Sequence, residues 1–441
     1  MARSAAVLLF PDAALRSRLT KAQERALRRA VRGRVYVPGN RGYDAARVVF
    51  NRRWDSVKPP AVVRVRDVDD VRAVVRWADR YDIPLVSRSG GHGYNGNSTS
   101  ADAVVVDVGA LDFIRFADGI ATIGPAAPLG RVYEVLARRG VTVPAGSCPT
   151  VAIGGLALGG GMGLAGRAMG LTCDRLRSID VVTADGRRRR VSGDDDLFWA
   201  LRGGGGSFGI VTALRLRTRR VDRAAYFRIN YPRAAREEAL AAWDALAPRA
   251  PRALTAILTL SSSGATAFGQ YLGSEAALRR LIAPLGGSPT IGSADYLTVQ
   301  RRWGGSGSGR TTFAASSLYV EDRLSARGRR AFVEAADTGA GLILDAYGGA
   351  INAVRRSATA FPHRDARFSV QILSYTSPGT AKSRVRRARA LIDGYGSGAY
   401  ANYPDPDLSV RDYYGSNLAR LRRIKREVDP ANRFRPRQGI R

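Results

Sequence analysis

The chain of 441 residues has very few of the side chains that form disulfides and metal sites. It contains two cysteines, Cys148 and Cys173, and two histidines, His92 and His363. So few cysteines exclude a disulfide scaffold, and a single Cys148–Cys173 bridge stays open without being indicated. Neither histidine lies at zinc-ligand spacing from a cysteine, so we expect no metal site. No segment is a credible membrane span, because proline and glycine interrupt the longest uncharged run.

Acidic residues are also scarce: 38 aspartates and glutamates face 70 lysines and arginines, and the net charge is +32. Such a charge suits a protein that binds nucleic acid, an anionic membrane or an acidic substrate. However, the arginines are scattered, and the one tight run, Arg187–Arg190, belongs to a predicted hairpin with Asp194–Asp196 after it to offset the charge. We therefore expect a solvated basic surface without nucleic-acid or membrane partners, and an acidic substrate remains an open alternative.

The N-terminus carries a short apolar stretch, Ala5–Phe10, followed by Pro11 and Asp12. It lacks a small-residue cleavage site and is therefore a poor signal peptide. This favours a cytoplasmic location. The sequence gives no indication of the oligomeric state.

Hydrophobic periodicity predicts a basic helix over 13–32 and then an α/β opening. The predicted opening consists of a strand over 61–66, a helix over 67–81, and strands over 84–87 and 104–108. After residue 220 the pattern changes to strands over 226–231, 255–260 and 368–374, alternating with helices over 235–246 and 324–336. We expect an α+β fold of two domains, the second (221–395) built on an antiparallel sheet backed by helices.

The most glycine-dense stretch is Pro144–Gly166, within an uncharged segment that begins at Gly140. Glycine lets the backbone approach a ligand closely, so this stretch could cradle a large flat molecule. The thiol of Cys148 could bond to that molecule; alternatively Cys148 is a small buried hydrophobic residue. The glycines proposed to face the ligand are Gly154, Gly155, Gly159, Gly160, Gly161 and Gly163.

A second glycine loop, Arg88-Ser89-Gly90-Gly91-His92-Gly93, follows a predicted strand. Consecutive backbone N–H groups in such a loop can form a nest for a phosphate or pyrophosphate. Alternatively, the loop is only a tight turn and His92 is a structural histidine.

The two motifs RSGGHG and GSCPTVAIGGLALGGGMG, in this order, resemble those of berberine-bridge-type oxidases of the vanillyl-alcohol-oxidase-like FAD superfamily. The resemblance continues through GLTCD, DLFWALRGGGGSFGIVT, AYANYPD, YYGSNLARLRRIK and DPANRF, and so covers most of the chain. It implies an FAD-binding domain of the PCMH type over 1–220, a substrate-binding domain over 221–395, and a C-terminal segment, 396–441, that returns to the FAD domain.

The resemblance also implies how FAD is held. His92 would be linked to the 8α-methyl carbon of the flavin and Cys148 to C6, while Ser89 and the loop glycines approach the pyrophosphate and ring. Arg88 would lend electrostatic support or belong to the solvated surface. The ADP half would lie near Gly170 and Cys173 and near Gly209, Ile210 and Val211.

The same resemblance predicts the catalytic residues. Tyr400, Asn402 and Tyr403 match a YxNY segment in which one tyrosine removes the hydroxyl proton of the substrate, and we favour Tyr403. Gln371 would face the substrate. Asn417 belongs to the closing motif, with a structural role or a place near the cofactor.

The resemblance implies oxidation of an alcohol group, of a sugar or a secondary metabolite, by hydride transfer to flavin N5. Oxygen would then reoxidise the flavin and yield hydrogen peroxide. Val151 borders the route of oxygen in the family, and a compact residue there is similar to the oxidase members; ordinary packing is the alternative. A dehydrogenase with another electron acceptor and a basic, non-catalytic binding protein remain as alternative functions.

Overall fold

The computed structural model describes residues 18–305 and 309–441. The apolar stretch 5–10 and the start of the helix predicted over 13–32 lie outside these residues. The helix itself begins at Lys21 and ends at Ala30, which is shorter than predicted. It begins there because Thr20 and Gln23 form a capping box, in which each side chain accepts a hydrogen bond from the backbone of the other residue.

Helices and strands alternate along the whole described chain. The helices are α1 (Lys21–Ala30), α2 (Tyr43–Arg47), α3 (Val68–Arg80), α4 (Leu129–Ala137), α5 (Ile153–Leu158), α6 (Gly166–Met169), α7 (Asp196–Ala200), α8 (Arg236–Leu246), α9 (Glu275–Ile282), α10 (Tyr296–Arg302), α11 (Ala326–Asp337), α12 (Pro378–Ile392), α13 (Val410–Tyr414) and α14 (Leu418–Val428). The strands are β1 (Arg34–Tyr36), β2 (Val62–Arg64), β3 (Leu85–Arg88), β4 (Val104–Asp107), β5 (Ile114–Ala117), β6 (Ile120–Ile123), β7 (Val141–Thr142), β8 (Leu176–Val182), β9 (Arg188–Ser192), β10 (Ile210–Arg217), β11 (Arg219–Arg220), β12 (Arg223–Pro232), β13 (Leu254–Leu260), β14 (Gly264–Tyr271), β15 (Thr290–Asp295), β16 (Ala314–Val320), β17 (Gly341–Ala346) and β18 (Phe368–Ser374).

The N-terminal half contains a four-stranded sheet of order β1-β2-β4-β3, in which β4 runs parallel to both β2 and β3. The predicted strand–helix–strand opening is therefore confirmed. Helix α3 connects β2 to β3 and buries Val71, Val74 and Val75, the face that the 3.6-residue period predicts. The C-terminal tail completes this unit by pairing with β3. The backbone N–H of Leu85 donates to the carbonyl of Arg433, and the Leu85 carbonyl accepts from the N–H of Arg435.

A five-stranded antiparallel sheet of order β5-β6-β10-β8-β9 follows, and β8–β9 is the predicted hairpin. Its arginines are neutralised differently from the expectation. Arg188 and Arg190 both pair with Asp180 of β8, at 2.6 and 2.8 Å, while Asp196 pairs with two arginines of α14. The carboxylates after the run therefore do not face it, because α7 carries Asp196 away towards the C-terminal helix.

The remaining large element is a seven-stranded antiparallel sheet of order β15-β12-β14-β13-β17-β18-β16. Sequence periodicity predicts an antiparallel sheet here, but it identifies only β12, β13 and β18. Small residues hide the pattern in two of the missed strands, GATAFGQY of β14 and AASSLYV of β16. One face of the sheet is apolar and is packed against α8, α9, α11 and α12 in a single core. The other face carries polar side chains and borders the cavity described below.

In the described ranges, no helix is long and apolar enough to cross a membrane.

Candidate active site

A cavity of about 390 Å³ lies between the two glycine loops and the polar face of the seven-stranded sheet. Most of the predicted site residues contribute to its wall, although they come from five separate parts of the chain. The predicted residues that line it are Ser89, Gly90, Gly91, His92, Gly93, Cys148, Val151, Gly154, Gly155, Gly159, Gly163, Ile210, Val211, Gln371, Tyr400, Asn402 and Tyr403.

Arg88 does not line the cavity, and its burial contradicts the alternative of a solvated surface residue. Its side chain is buried and pairs with Asp107 of β4 at 2.9 Å. It also donates to the backbone carbonyls of Ala46 and Arg47. Arg88 therefore joins α2 to the four-stranded sheet and is neither a cofactor contact nor a surface residue.

Cys173 and Asn417 also lie away from the cavity. Cys173 is fully buried in the hydrophobic core, and burial raises the pKa of its thiol. Both cysteines are free, so no Cys148–Cys173 bridge forms. The Asn417 amide donates to the carbonyls of residues 356, 359 and 360, which is a structural role.

Four predicted glycines do not line the cavity and have a backbone conformation that other residues rarely adopt. Gly160, Gly161, Gly170 and Gly209 all have a positive φ. At Gly209 an added Cβ would lie 2.6 Å from Val181, and at Gly170 it would lie 2.9 Å from the Asp174 carboxylate. Glycine is therefore required at both positions by close packing within the protein.

His92 and Cys148 come together at Thr150. The Cys148 sulfur lies 3.7 Å from the Thr150 hydroxyl, and the His92 imidazole lies beside the Thr150 backbone. The imidazole also stacks on Phe50 at a centroid distance of 4.1 Å. Burial lowers the pKa of His92 to about 4, so the ring is neutral at physiological pH. A neutral imidazole and a half-buried thiol thus face one cavity from different loops.

The first glycine loop offers unpaired donors. In the described part of the chain, no protein acceptor meets the backbone N–H groups of residues 90–93, although the Gly91 carbonyl accepts from Phe50. Consecutive N–H groups without protein partners can bind an anion, so this loop suits a ligand with oxygen acceptors. The left-handed conformation of Gly91, with φ of 68°, turns the loop around the cavity.

Two other glycines leave room for the body of a ligand. A Cβ added at Gly155 or Gly206 would meet nothing closer than a serine hydroxyl, at 3.8 and 3.7 Å respectively. Both residues line the cavity. The open backbone, the apolar side chains of Val151 and Ile210, and the unpaired N–H groups together fit the flat ring and the pyrophosphate of FAD.

Tyr400 is held rigidly by its own hydroxyl. Its phenol oxygen accepts hydrogen bonds from the backbone N–H groups of Gly161 and Met162, at 2.9 and 3.0 Å, and from the Asn402 amide at 3.0 Å. Burial raises the pKa of Tyr400 to about 12, against the effect of these donors. Both lone pairs of the phenol oxygen are occupied, so Tyr400 orders the glycine stretch and has no acceptor site left for a substrate proton.

Tyr403 has a different environment. In the described part of the chain, its hydroxyl has no hydrogen-bond partner, and its ring stacks on Tyr94 at 5.7 Å. Burial raises the pKa of Tyr403 well above the ordinary value, and the nearby carboxylate of Asp345 raises it further. Gln371 stands beside this pair and donates to the Tyr94 hydroxyl at 2.7 Å. The predicted catalytic residues therefore do share one end of the cavity.

Asp345 is a functional candidate that the sequence analysis missed. It lies on β17, lines the cavity and is 5% exposed, and its Oδ2 atom has no hydrogen-bond partner in the described residues. Burial alone raises its pKa to about 7. One signal could have revealed it: a single acidic residue within the otherwise apolar run GLILDA, since a fully buried carboxylate is rare without a partner. Tyr94, one residue after the first motif, was missed in the same way.

Comparisons with known proteins agree with this geometry. The profile of the FAD binding domain family matches residues 59–192, and the profile described as berberine and berberine like matches residues 399–441. The FAD-linked oxidoreductase YgaK of Bacillus subtilis, itself uncharacterized, is 32% identical over 92% of this chain and 96% of its own length. The chitooligosaccharide oxidase of Gibberella zeae is 30% identical over 87% of each chain.

Among solved structures, the BBE-like 1 protein of Physcomitrella patens superposes with a TM-score of 0.90. It is 29% identical, and the match covers 95% of this chain and 99% of that protein. The shared fold, the FAD-binding segment and the C-terminal segment extend over nearly the whole sequence. The chain therefore belongs to the berberine bridge enzyme-like family of FAD-linked oxidoreductases.

Proposed function

We propose that the protein is an oxidase that converts an alcohol carbon of an oligosaccharide to a carbonyl and reduces oxygen to hydrogen peroxide. The single observation that carries the proposal is one cavity that four side chains share. His92 and Cys148 border it from the two glycine loops, while Tyr403 and Asp345 border it from the other side. The chitooligosaccharide oxidase among the relatives supports a saccharide substrate. The stoichiometry is one alcohol and one O₂ consumed for each carbonyl and each H₂O₂ formed.

FAD bound in this cavity would accept a hydride from the alcohol carbon. His92 and Cys148 would attach it covalently, at the 8α-methyl carbon and C6 respectively. The neutral imidazole supports this assignment, because a ring nitrogen must carry a free electron pair to act as a nucleophile. Both side chains lie beside Thr150, which suits two attachment points on one edge of a ring.

Tyr403 would take the hydroxyl proton of the substrate. Because the pKa of Tyr403 is raised, its phenol stays protonated near neutral pH. It can therefore accept the substrate proton only if it donates its own hydroxyl proton to another group at the same time. The carboxylate of Asp345 can receive that proton, since its pKa of about 7 leaves it largely ionised just above neutral pH. Gln371 and Tyr94 would orient the substrate hydroxyl. Tyr400 would instead support the flavin-binding stretch.

The attachment is tested by denaturing-gel flavin fluorescence and intact mass of the wild type, His92→Ala and Cys148→Ala. The wild-type chain should carry the mass of one FAD after denaturation. Each single variant should keep the mass of FAD through the remaining covalent link. The double variant, with both His92→Ala and Cys148→Ala, should lose it. Cys173→Ala is the matched control, because it removes the other thiol from a site in the core. A wild-type chain without bound mass would refute the covalent attachment.

The electron acceptor is tested separately. Oxygen consumption and peroxide release in equal amounts during oligosaccharide turnover would identify an oxidase. Val151 supports this outcome, because it is a compact side chain that lines the cavity. Turnover that proceeds only with an added artificial acceptor would show a dehydrogenase instead, the alternative that the sequence leaves open.

A further inference from the structure

The polar face of the seven-stranded sheet continues beyond the cavity as an exposed surface. Asp345 of β17 stands directly opposite Ile257 of β13, which lies opposite Phe268 of β14, which lies opposite Arg228 of β12. Directly opposed residues in a sheet have side chains on the same face. This row therefore leads from the proposed proton acceptor to Arg228 across three strand spacings, a distance of about 14 Å.

Ile257 lines the cavity, so the row is continuous with the site. Exposure then increases along it: Ile257 and Phe268 are half-buried and Arg228 is exposed. A parallel row on the same face carries Thr259, Thr266 and Asn230, with the Thr266 hydroxyl donating to the Asn230 amide oxygen at 3.0 Å. The surface thus combines an apolar track with a polar edge, which suits a saccharide chain.

An aromatic platform covers the far part of the row. Phe268 and Trp303 lie with ring centroids 4.9 Å apart, and the Arg228 guanidinium lies 5.9 and 5.6 Å from the two rings. The neighbouring Gly304 packs against the backbone of Ser147, since a Cβ added there would lie 3.0 Å from its carbonyl oxygen. Ser147 lines the cavity beside Cys148, so the platform adjoins the site from this side also.

Two arginines on this platform are free of carboxylates. Arg302 lies over the Tyr226 ring at 4.1 Å and donates to its hydroxyl, and Tyr226 is two residues from Arg228 on the same face of β12. In the described part of the chain, neither guanidinium has an acidic partner, whereas the adjacent Arg301 pairs with Glu134 at 2.6 Å. Planar guanidinium groups that are held by rings present their N–H donors to a carboxylate.

We propose that this surface is a distal subsite for an anionic sugar: Arg228 and Arg302 bind the carboxylate of a uronic acid unit while Phe268 and Trp303 carry its ring. The proposal rests on the proposed function, in which the reacting end of the saccharide lies at Tyr403 and Asp345. The span of about 14 Å is one that a short oligosaccharide covers and a single monosaccharide does not. The substrate class is then an acidic oligosaccharide.

The test compares two trisaccharides that differ only in whether the non-reducing unit carries a C6 carboxylate. For the wild type, we expect the KM of the acidic trisaccharide to be lower by about fivefold, the size of one partly exposed charge pair, with kcat unchanged. Arg228→Gln and Arg302→Gln should each remove most of this preference and leave the neutral substrate unaffected. Arg223→Gln is the matched control, since it removes the same charge from the same strand at a point whose guanidinium faces Ser293.

Equal KM values for the two substrates in the wild type would overturn the subsite, and so would an Arg228→Gln variant that behaves like Arg223→Gln. Calorimetric titration with the methyl glycoside of the acidic trisaccharide measures binding without turnover. It therefore separates a failure of the subsite proposal from a failure of the proposed reaction. Binding that depends on Arg228, without oxidation of either trisaccharide, would keep the subsite and refute the proposed reaction. Absence of binding would overturn the subsite.

Discussion

At the scale of single residues, two tyrosines three positions apart differ in what their hydroxyls contact. Tyr400 accepts three N–H bonds and is locked in the wall, while the Tyr403 hydroxyl faces the cavity next to Asp345. The sequence motif treats the two as equivalent candidates. Hydrogen-bond occupancy favours Tyr403 in the proposed reaction, because a proton acceptor needs a lone pair that the protein has not already used.

Asp345→Asn should lower kcat/KM by about 100-fold, the lower limit for loss of a general base, and abolish its pH dependence near neutrality. In the wild type, kcat/KM should rise with pH through about 7, as the carboxylate ionises. Steady-state rates between pH 5 and 9 provide the check. Asp112→Asn is the control, because this carboxylate is exposed and pairs with Arg131 on the surface. An unchanged pH profile in Asp345→Asn would contradict the assignment.

The same residue should affect stability in a defined direction. Because burial raises the pKa of Asp345 above its ordinary value, its contribution to stability is present at acid pH and is lost as pH rises through about 7. Asparagine has no such ionisation. The melting temperature of Asp345→Asn relative to the wild type should therefore increase between pH 4 and 8, as measured by thermal unfolding.

At the scale of elements, the short helix α5 carries two adjacent glycines, and each position requires glycine for a different reason. A Cβ added at Gly154 would lie 2.7 Å from Pro125, so this residue permits the helix to pack. A Cβ at Gly155 would enter open cavity. One glycine therefore serves the fold and the other serves the ligand.

Gly155→Val should leave a folded protein but reduce the flavin bound per chain, because the new side chain occupies the space for the ring. Helix propensity does not oppose the change, since glycine is among the poorest helix formers. Flavin absorbance per chain and far-ultraviolet circular dichroism measure the two effects. Gly154→Ala should instead lower the yield of folded protein. A Gly155→Val protein with full flavin content would show that the ligand lies elsewhere.

At the scale of the whole molecule, a buried ion pair fastens the C-terminal tail. The Lys425 ammonium and the Asp429 carboxylate are 2% and 0% exposed, and the ammonium also donates to the carbonyls of Ser207 and Phe434. The tail then reaches the cavity, where residues 436–439 form part of the wall. The cavity wall is therefore complete only when the C-terminal tail is in place.

Asp429→Ala should reduce the free energy of unfolding by about 3 kcal/mol, because it leaves the Lys425 ammonium buried without its counter-charge. Denaturant unfolding followed by tryptophan fluorescence gives the value. Flavin fluorescence should increase at a lower denaturant concentration, since the tail contributes to the cavity wall. Glu427→Ala is the control, because its carboxylate pairs with Arg423 at the surface. Equal stability of the two variants would contradict the role of the buried pair.

The residues that sequence reasoning placed well are those in short, local patterns. The loop with His92 and the stretch with Cys148 are readable because glycine spacing and a lone thiol are properties of adjacent residues. Gly160 and Gly209 lie outside the cavity lining, and the sequence could not show this, because a glycine required by packing and one required by a cofactor look identical in a sequence.

The amino-acid order alone thus established the family, the α+β class and the two glycine loops that line the cavity, since each depends on motifs or on periodicity along the chain. Only the tertiary structure brought Asp345 and Arg228 to the same sheet face as Gln371, set Tyr94 beside Gln371, and placed Arg88 and Cys173 away from the cavity. Strand register across the seven-stranded sheet decides which distant residues become neighbours, and this pairing is a property of the folded chain.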